Sequence, residues 1–198
     1  MTNPKLDAHL TEHFIRREER LSGSYLHVVR DTVTLPDSST ATRELIVHPG
    51  AVAVIPLLDD GRVVMVRQYR HPVGQVLLEL PAGKRDPNEP VLACAMRELQ
   101  EETGYTAGQW ARLGGFHNAA AYSTETMEIW VARELRAGPS RLDEGEFVEV
   151  AEVPLEALLE QLQQGQMPDM KTALALLWLA RWRASAWPLD WQTITPLD

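Results

Sequence analysis

The sequence predicts an α/β (α+β) sandwich with a mixed β-sheet, preceded by a small N-terminal antiparallel β appendage. Three observations carry this expectation. Short β-prone runs alternate with turn residues along much of the chain. The hydrophobic period becomes helical only after Glu89 and again after Pro154 and Pro168. The run Ala51 to Leu58 (AVAVIPLL) is almost continuously apolar, as expected of a strand covered on both faces. Strands interspersed with a few helices form layered sandwiches.

Taken in order, residues 1–20 read as a polar arm, partly helical or frayed. Tyr25 to Val33 and Ala41 to His48 are β-prone and flank the turn Pro36-Asp37-Ser38-Ser39, so they form a hairpin. His48-Pro49-Gly50 punctuates the chain, which places an appendage at 1–48 and the main domain at 49–198. In the main domain, Asp59-Asp60-Gly61 turns the Ala51 strand into a return strand, Arg62 to Gln68. Val76 to Leu80 is a short strand ending at Pro81-Ala82-Gly83. From Glu89 to Thr103, the residues Val91, Leu92, Ala95, Met96 and Leu99 make an apolar helical stripe, stopped by Gly104. Trp110 to Phe116, Glu125 to Glu134 and Glu146 to Ala151 are strand candidates. Leu155 to Gln164 and Lys171 to Ala184 are the closing helices. Trp178 and Trp182, four apart on the last one, share a face suited to core or dimer packing.

Composition excludes several classes. The 198 residues carry 28 acidic and 19 basic side chains, a net charge of −9. That balance disfavours a general nucleic-acid or anionic-membrane binder, although a local site can still take a phosphorylated small molecule. Cys94 is the single cysteine, so no intrachain disulfide or Cys-rich zinc framework exists. A lone thiol suits a reducing compartment. The first twenty residues lack an apolar core, and no apolar run approaches a membrane span, so a cytoplasmic protein is expected.

The chemistry concentrates between Gly83 and Tyr105. Glu98 lies three residues from Glu101 and four from Glu102, so one helix face gathers three carboxylates opposite the apolar stripe. Clustered carboxylates repel unless a cation sits among them, and hard oxygen donors suit Mg²⁺ or Mn²⁺. Gly83 permits a tight loop whose backbone can approach the same point. An acidic helix face alone is ordinarily just solvated, and Arg97 could simply pair with Glu101. The complete pattern, which fixes nine positions over 23 residues and includes two glycines outside the helix, is far more specific.

Gly83–Tyr105 (GKRDPNEPVLACAMRELQEETGY) resembles the Nudix box of the Nudix hydrolases without a departure. The similarity extends from about Tyr25 to Ala180, and the segments GAVAVIPLLDDGRVVMVRQYRHPVGQVLLELPAGK and LDEGEFVEVAEVPLEALLE, with the N-terminal β appendage, resemble the ADP-ribose pyrophosphatase branch. The resemblance implies an α/β/α Nudix sandwich that hydrolyses nucleoside diphosphates linked to another moiety, using Mg²⁺ (with Mn²⁺ as a substitute). It makes Glu98 and Glu102 the main metal ligands, Glu101 an auxiliary and catalytic carboxylate, and the Ala82 carbonyl a backbone ligand. Glu89 and Arg97, with Gly83 and Gly104, brace the box. Arg70, in VRQYR, matches a contact to the substrate diphosphate, and Glu79 joins it. In the acidic loop, Glu144 matches the catalytic base and Glu146 a further metal ligand, against a plain reading of Asp143 to Glu146 as a turn. The branch also implies a homodimer whose appendages help build the partner's pocket.

One region departs from the branch. A Ser-Pro-Gly type turn normally follows the box, and here the stretch is Ala119-Ala120-Ala121-Tyr122-Ser123. Tyr122 either stacks on a base or fills a gap beneath the loop. Glu125 resembles a glutamate that approaches substrate or metal. The leading expectation is therefore hydrolysis of ADP-ribose or a related nucleoside diphosphate sugar, releasing a nucleoside monophosphate and a sugar phosphate. GDP-mannose and dinucleoside polyphosphates are the alternatives within the enzyme class. A non-catalytic Nudix ligand sensor is the alternative outside it.

Overall fold

A computed structural model describes residues 7–142 and 145–194. The chain forms two compact units, the first running to Pro49 and also taking in Ala119–Glu125.

In the first unit, β1 (His13–Ser22), β2 (His27–Thr34) and β3 (Thr40–Ile46) form an antiparallel sheet in that order. The sequence pattern assigns residues 13–20 to an arm, and the structure corrects this. The charged run FIRREER is compatible with a strand because its charges are paired, Arg17 and Glu19 across to β2 and Arg16 and Arg20 with Glu18 on the same strand. Arg17 stands opposite Asp31 and makes two 2.7 Å hydrogen bonds to its carboxylate. The expected turn joins β2 to β3, with Asp37 Oδ1 accepting from Ser39 N at 2.9 Å. The loop at 119–125 lies along the end of β3. Ile46 N donates to the Tyr122 carbonyl at 2.8 Å, and Thr124 N donates back to the Ile46 carbonyl at 3.0 Å. No local pattern in the sequence announces that pairing.

The second unit contains β4 (Ala51–Pro56), β5 (Arg62–Arg70), β6 (Gln75–Glu79), β7 (Ala82–Lys84), α1 (Val91–Thr103), β8 (Tyr105–Phe116) and β9 (Met127–Ala137). These are followed by β10 (Val148–Pro154), α2 (Leu155–Gln163), α3 (Met170–Arg183) and β11 (Trp191–Thr193). A five-stranded sheet runs β11-β8-β9-β4-β7, and a three-stranded sheet runs β10-β5-β6. Only the β4–β9 pairing is parallel among these, which makes the larger sheet mixed.

The alternation of β4 explains the layers. Ala51, Ala53 and Ile55 enter one core with Val63 and Met65 of β5, Leu155 and Leu158 of α2, and Leu176 and Leu179 of α3. Val52 and Val54 enter the other with Cys94, Ala95 and Leu99 of α1, and with Trp110 and Trp130. Both faces of the strand are therefore dry, as its continuous apolar run requires. Each fully buried Val or Ile there contributes roughly 1.5–3 kcal/mol. This arrangement is the expected α/β/α sandwich.

The ends of α1 set the site. It starts at Val91 rather than Glu89, because the residue before Pro90 is biased away from helical geometry. It ends at Gly104, whose φ of +75° is left-handed and whose N–H donates to the Gln100 carbonyl. The two tryptophans of α3 do not pair with each other. Trp178 meets Trp187 and Trp182 meets Trp191, both edge-on, from a C-terminal return that ends in β11. No helix among the described residues is long and apolar enough to cross a membrane.

Candidate active site

The α1 helix turns Glu98 and Glu102 toward β7 and buries them, leaving 9% and 5% of each residue exposed. Glu102 Oε2 accepts from the Ala82 N–H at 3.0 Å, which ties helix to strand. A Cβ at Gly83 would overlap the Glu98 carboxylate, so only glycine fits opposite it.

Burial is the first cause of the unusual acidity here. It pushes Glu98 up to about 7 against the opposing pull of Arg97, with Glu101 and Glu146 adding repulsion. It pushes Glu102 up to about 8, the Ala82 hydrogen bond opposing and the charges of Glu98 and Glu146 adding. Glu146 is exposed, yet its charge acts on both buried carboxylates, so all three belong to one electrostatic site. Glu144 lies outside the described residues.

Arg97 organises the surrounding carboxylates. Its Nε and Nη2 donate to the two oxygens of Glu89 at 2.8 and 2.9 Å. Its Nη1 donates to Glu98 Oε1 and to Glu101 Oε2, each at 2.8 Å. The Arg97 guanidinium holds Glu89 down to about 2. The Glu89 carboxylate also accepts from Asp86 N, which pins the loop before α1.

A second group approaches from β5, β6 and α3. Arg70 Nε donates to Glu79 Oε1 at 2.8 Å and Nη2 to Oε2 at 3.1 Å. Glu79 is buried, and Lys171 Nζ also donates to its Oε2. Arg70 acts electrostatically on Glu102, favouring its charged form, so the two groups are neighbours. Sequence reasoning missed Lys171, because 92 residues separate it from Glu79 and no spacing rule links them. Tyr122 and Glu125 fold with the first unit, where Tyr122 is 57% exposed and Glu125 N donates to Ser123 Oγ.

The donors fit a hard divalent cation. Glu98, Glu102, Glu146 and the Ala82 carbonyl offer only oxygen, and the repulsion between the buried pair is what such a charge would relieve. Among the described residues no three His, Cys, Asp or Glu side chains form a group that could hold a metal ion by themselves.

The NUDIX domain family matches residues 47–176. The chain is 38% identical to an ADP-ribose pyrophosphatase of Bacillus subtilis over 172 residues, covering 86% of this chain and 93% of the relative. It is 37% identical to a methanol dehydrogenase activator of Bacillus methanolicus, covering 85% and 92%. A crystal structure of an ADP compounds hydrolase superposes with a TM-score of 0.78 at 23% identity, covering 88% of this chain and 95% of that one.

Proposed function

The chain belongs to the NUDIX family and is a Nudix pyrophosphohydrolase, and we propose that its substrate is ADP-ribose or a closely related nucleoside diphosphate sugar. The observation that carries the hydrolytic part of this reading is the buried Glu98–Glu102 pair beside the obligatory Gly83. The similarity to an ADP-ribose pyrophosphatase over most of the chain supports it.

Nudix hydrolases use divalent metal, and here we assign Mg²⁺, with Mn²⁺ able to substitute. Glu98, Glu102, Glu146 and the Ala82 carbonyl would hold it, with Glu101 as auxiliary. When bound, such an ion neutralises diphosphate charge and acidifies water. The chain's own residues do the rest. Arg70 holds diphosphate oxygens, and Tyr122 and Glu125 are assigned to substrate contact. Glu144 or Glu101 accepts a proton from the attacking water as that water bonds to one phosphorus. The bond from that phosphorus to the bridging oxygen breaks, giving AMP and ribose 5-phosphate from ADP-ribose. Positioning and electrostatics supply most of the acceleration. We assign a homodimer and a cytoplasmic location to the working enzyme.

The test is incubation of the purified chain with Mg²⁺ and a panel of ADP-ribose, ADP-glucose, GDP-mannose and diadenosine polyphosphates, with products identified by mass. Selective release of AMP and ribose 5-phosphate from ADP-ribose supports the reading. Preferred cleavage of another compound moves the substrate, and cleavage of none of them removes the enzymatic reading.

A further inference from the structure

The group around Glu79 does more than bury a charge. Its carboxylate is 2% exposed and faces two cations, Arg70 from β5 and Lys171 from the first turn of α3. Lys171 Nζ also donates to Asp169 Oδ2 at 3.0 Å. The same oxygen accepts from Thr172 N at 3.1 Å and from Thr172 Oγ1 at 2.5 Å. Thr172 Oγ1 in turn accepts from Leu80 N at 3.0 Å. The first turn of α3 therefore grips the Glu79 side chain and the Leu80 backbone, two residues before the Ala82 carbonyl.

The charges run in order from Asp169 through Lys171 and Glu79 to Arg70. Burial alone would push Glu79 up, yet Arg70 and Lys171 together hold it below the usual carboxylate range. Without Lys171, a buried carboxylate would rest on Arg70 alone and would draw that guanidinium inward. With it, the Glu79 charge is shared, and the fork fixes the plane of Arg70 through Nε and Nη2. The Arg70 side chain remains 39% exposed, and its charge favours the ionised form of Glu102.

We propose that Lys171 is a positioning residue for diphosphate binding, acting through Glu79 to set the place and plane of Arg70. The inference rests on the functional reading above, in which Arg70 contacts the diphosphate. It also gives Glu79 an indirect part in binding, since both of its oxygens are engaged inside the protein.

The experiment compares the full-length wild type with Lys171→Met, Arg70→Ala and the double variant. It measures kcat and KM for ADP-ribose, and the affinity for its α,β-methylene analogue by calorimetry. Lys171→Met is expected to raise KM and weaken analogue binding by about tenfold or more, with kcat within about threefold, the signature of lost binding common to ground and transition states. In the Arg70→Ala background the same change should add less than about twofold, because its route is already cut. Glu79→Gln gives the same KM effect and serves where Lys171→Met fails to fold. An unchanged KM in a folded variant overturns the proposal, as does a full KM effect in the Arg70→Ala background. A wild type that neither cleaves nor binds any panel compound fails the functional reading itself and takes this inference with it. With a wild type that cleaves normally, the variants decide the role of Lys171 alone.

Discussion

Gly83 and Glu98 share one space: the volume that a side chain at 83 would fill is held by the Glu98 carboxylate. No left-handed φ demands glycine at this position, so the constraint is room and not backbone freedom. Gly83→Ala must therefore push Glu98 aside or open the gap between β7 and α1. We expect a loss of at least about 10²-fold in kcat/KM, the usual effect of an ångström-scale displacement. The cost in stability should be about 1–3 kcal/mol, as for other overpacked cores. Kinetics and thermal melts on the same samples separate the two effects, and an alanine variant with full activity would refute the shared-space requirement.

The raised acidities make stability depend on pH in a definite direction. An unfolded Glu ionises near 4.5, whereas folded Glu98 and Glu102 titrate at about 7 and about 8. Their stabilising contribution is complete below pH 4.5 and is lost as pH rises to about 8, since the folded site then carries unrelieved charge. The melting temperature of metal-free protein should fall across pH 5–8, by an amount corresponding to a few kcal/mol. Mg²⁺ added at pH 8 should restore it, with affinity that tightens as pH rises because binding displaces protons. Glu102→Gln should remove much of the slope and lower activity about 10³-fold or more, as expected when one charged metal ligand is lost. Melts that are flat between pH 5 and 8, with and without metal, would contradict the assignment.

Arg97 is the opposite case, a cation whose removal is felt at neutral pH and forgiven in acid. It carries Glu89, Glu98 and Glu101 on one guanidinium. Glu89 is depressed to about 2, so the stability it gains from Arg97 is present above about pH 4.5 and lost as pH falls toward 2. Arg97→Met should cost on the order of 3 kcal/mol at pH 7, because it strands the buried Glu98 and the half-buried Glu89 and Glu101. The gap between variant and wild type should narrow below pH 4. Lysine cannot reproduce the two-pronged contact to Glu89, so Arg97→Lys should recover only part of the loss. Chemical denaturation at pH 7 and pH 3 is the measurement, and an equal deficit at both would exclude this origin.

The box, the α1 stripe and the doubly buried β4 are legible in the sequence, because each depends on spacing within one element. Glu98 and Glu102 share a face for the same reason that any residues four apart do. Legibility fails where partners are distant in sequence or where a strand is charged. β1 escapes notice because its stabilising contact, Arg17 to Asp31, lies across the sheet. Lys171 and the docking of residues 119–125 on β3 are long-range facts of the same kind. β7 and β11 have three residues each, too few to show a period.

So short a strand as β11 nevertheless closes a sheet edge. Trp191 meets Trp182 edge-on at 5.7 Å and lies under Arg133, whose guanidinium carbon is 3.9 Å from the ring centroid. Arg133 is steadied in turn by Gln109 Oε1 at 2.9 and 2.6 Å. The strand itself pairs with Ala111, Trp110 and Gln109 of β8, which would otherwise be the edge of a four-stranded sheet. Trp191→Ala removes the ring contact and the cation–π contact together, a loss of about 2–3 kcal/mol. At this chain length that is a fall in Tm of roughly 4–12 °C. The uncovered edge of β8 should also promote association in warm or concentrated samples. Because Trp191 packs on Trp182 and Arg133 and not on Glu98, Glu102 or Arg70, kcat below the transition should stay near the wild-type value. A fall in kcat without a fall in Tm would mean that the C-terminal return reaches the active site after all.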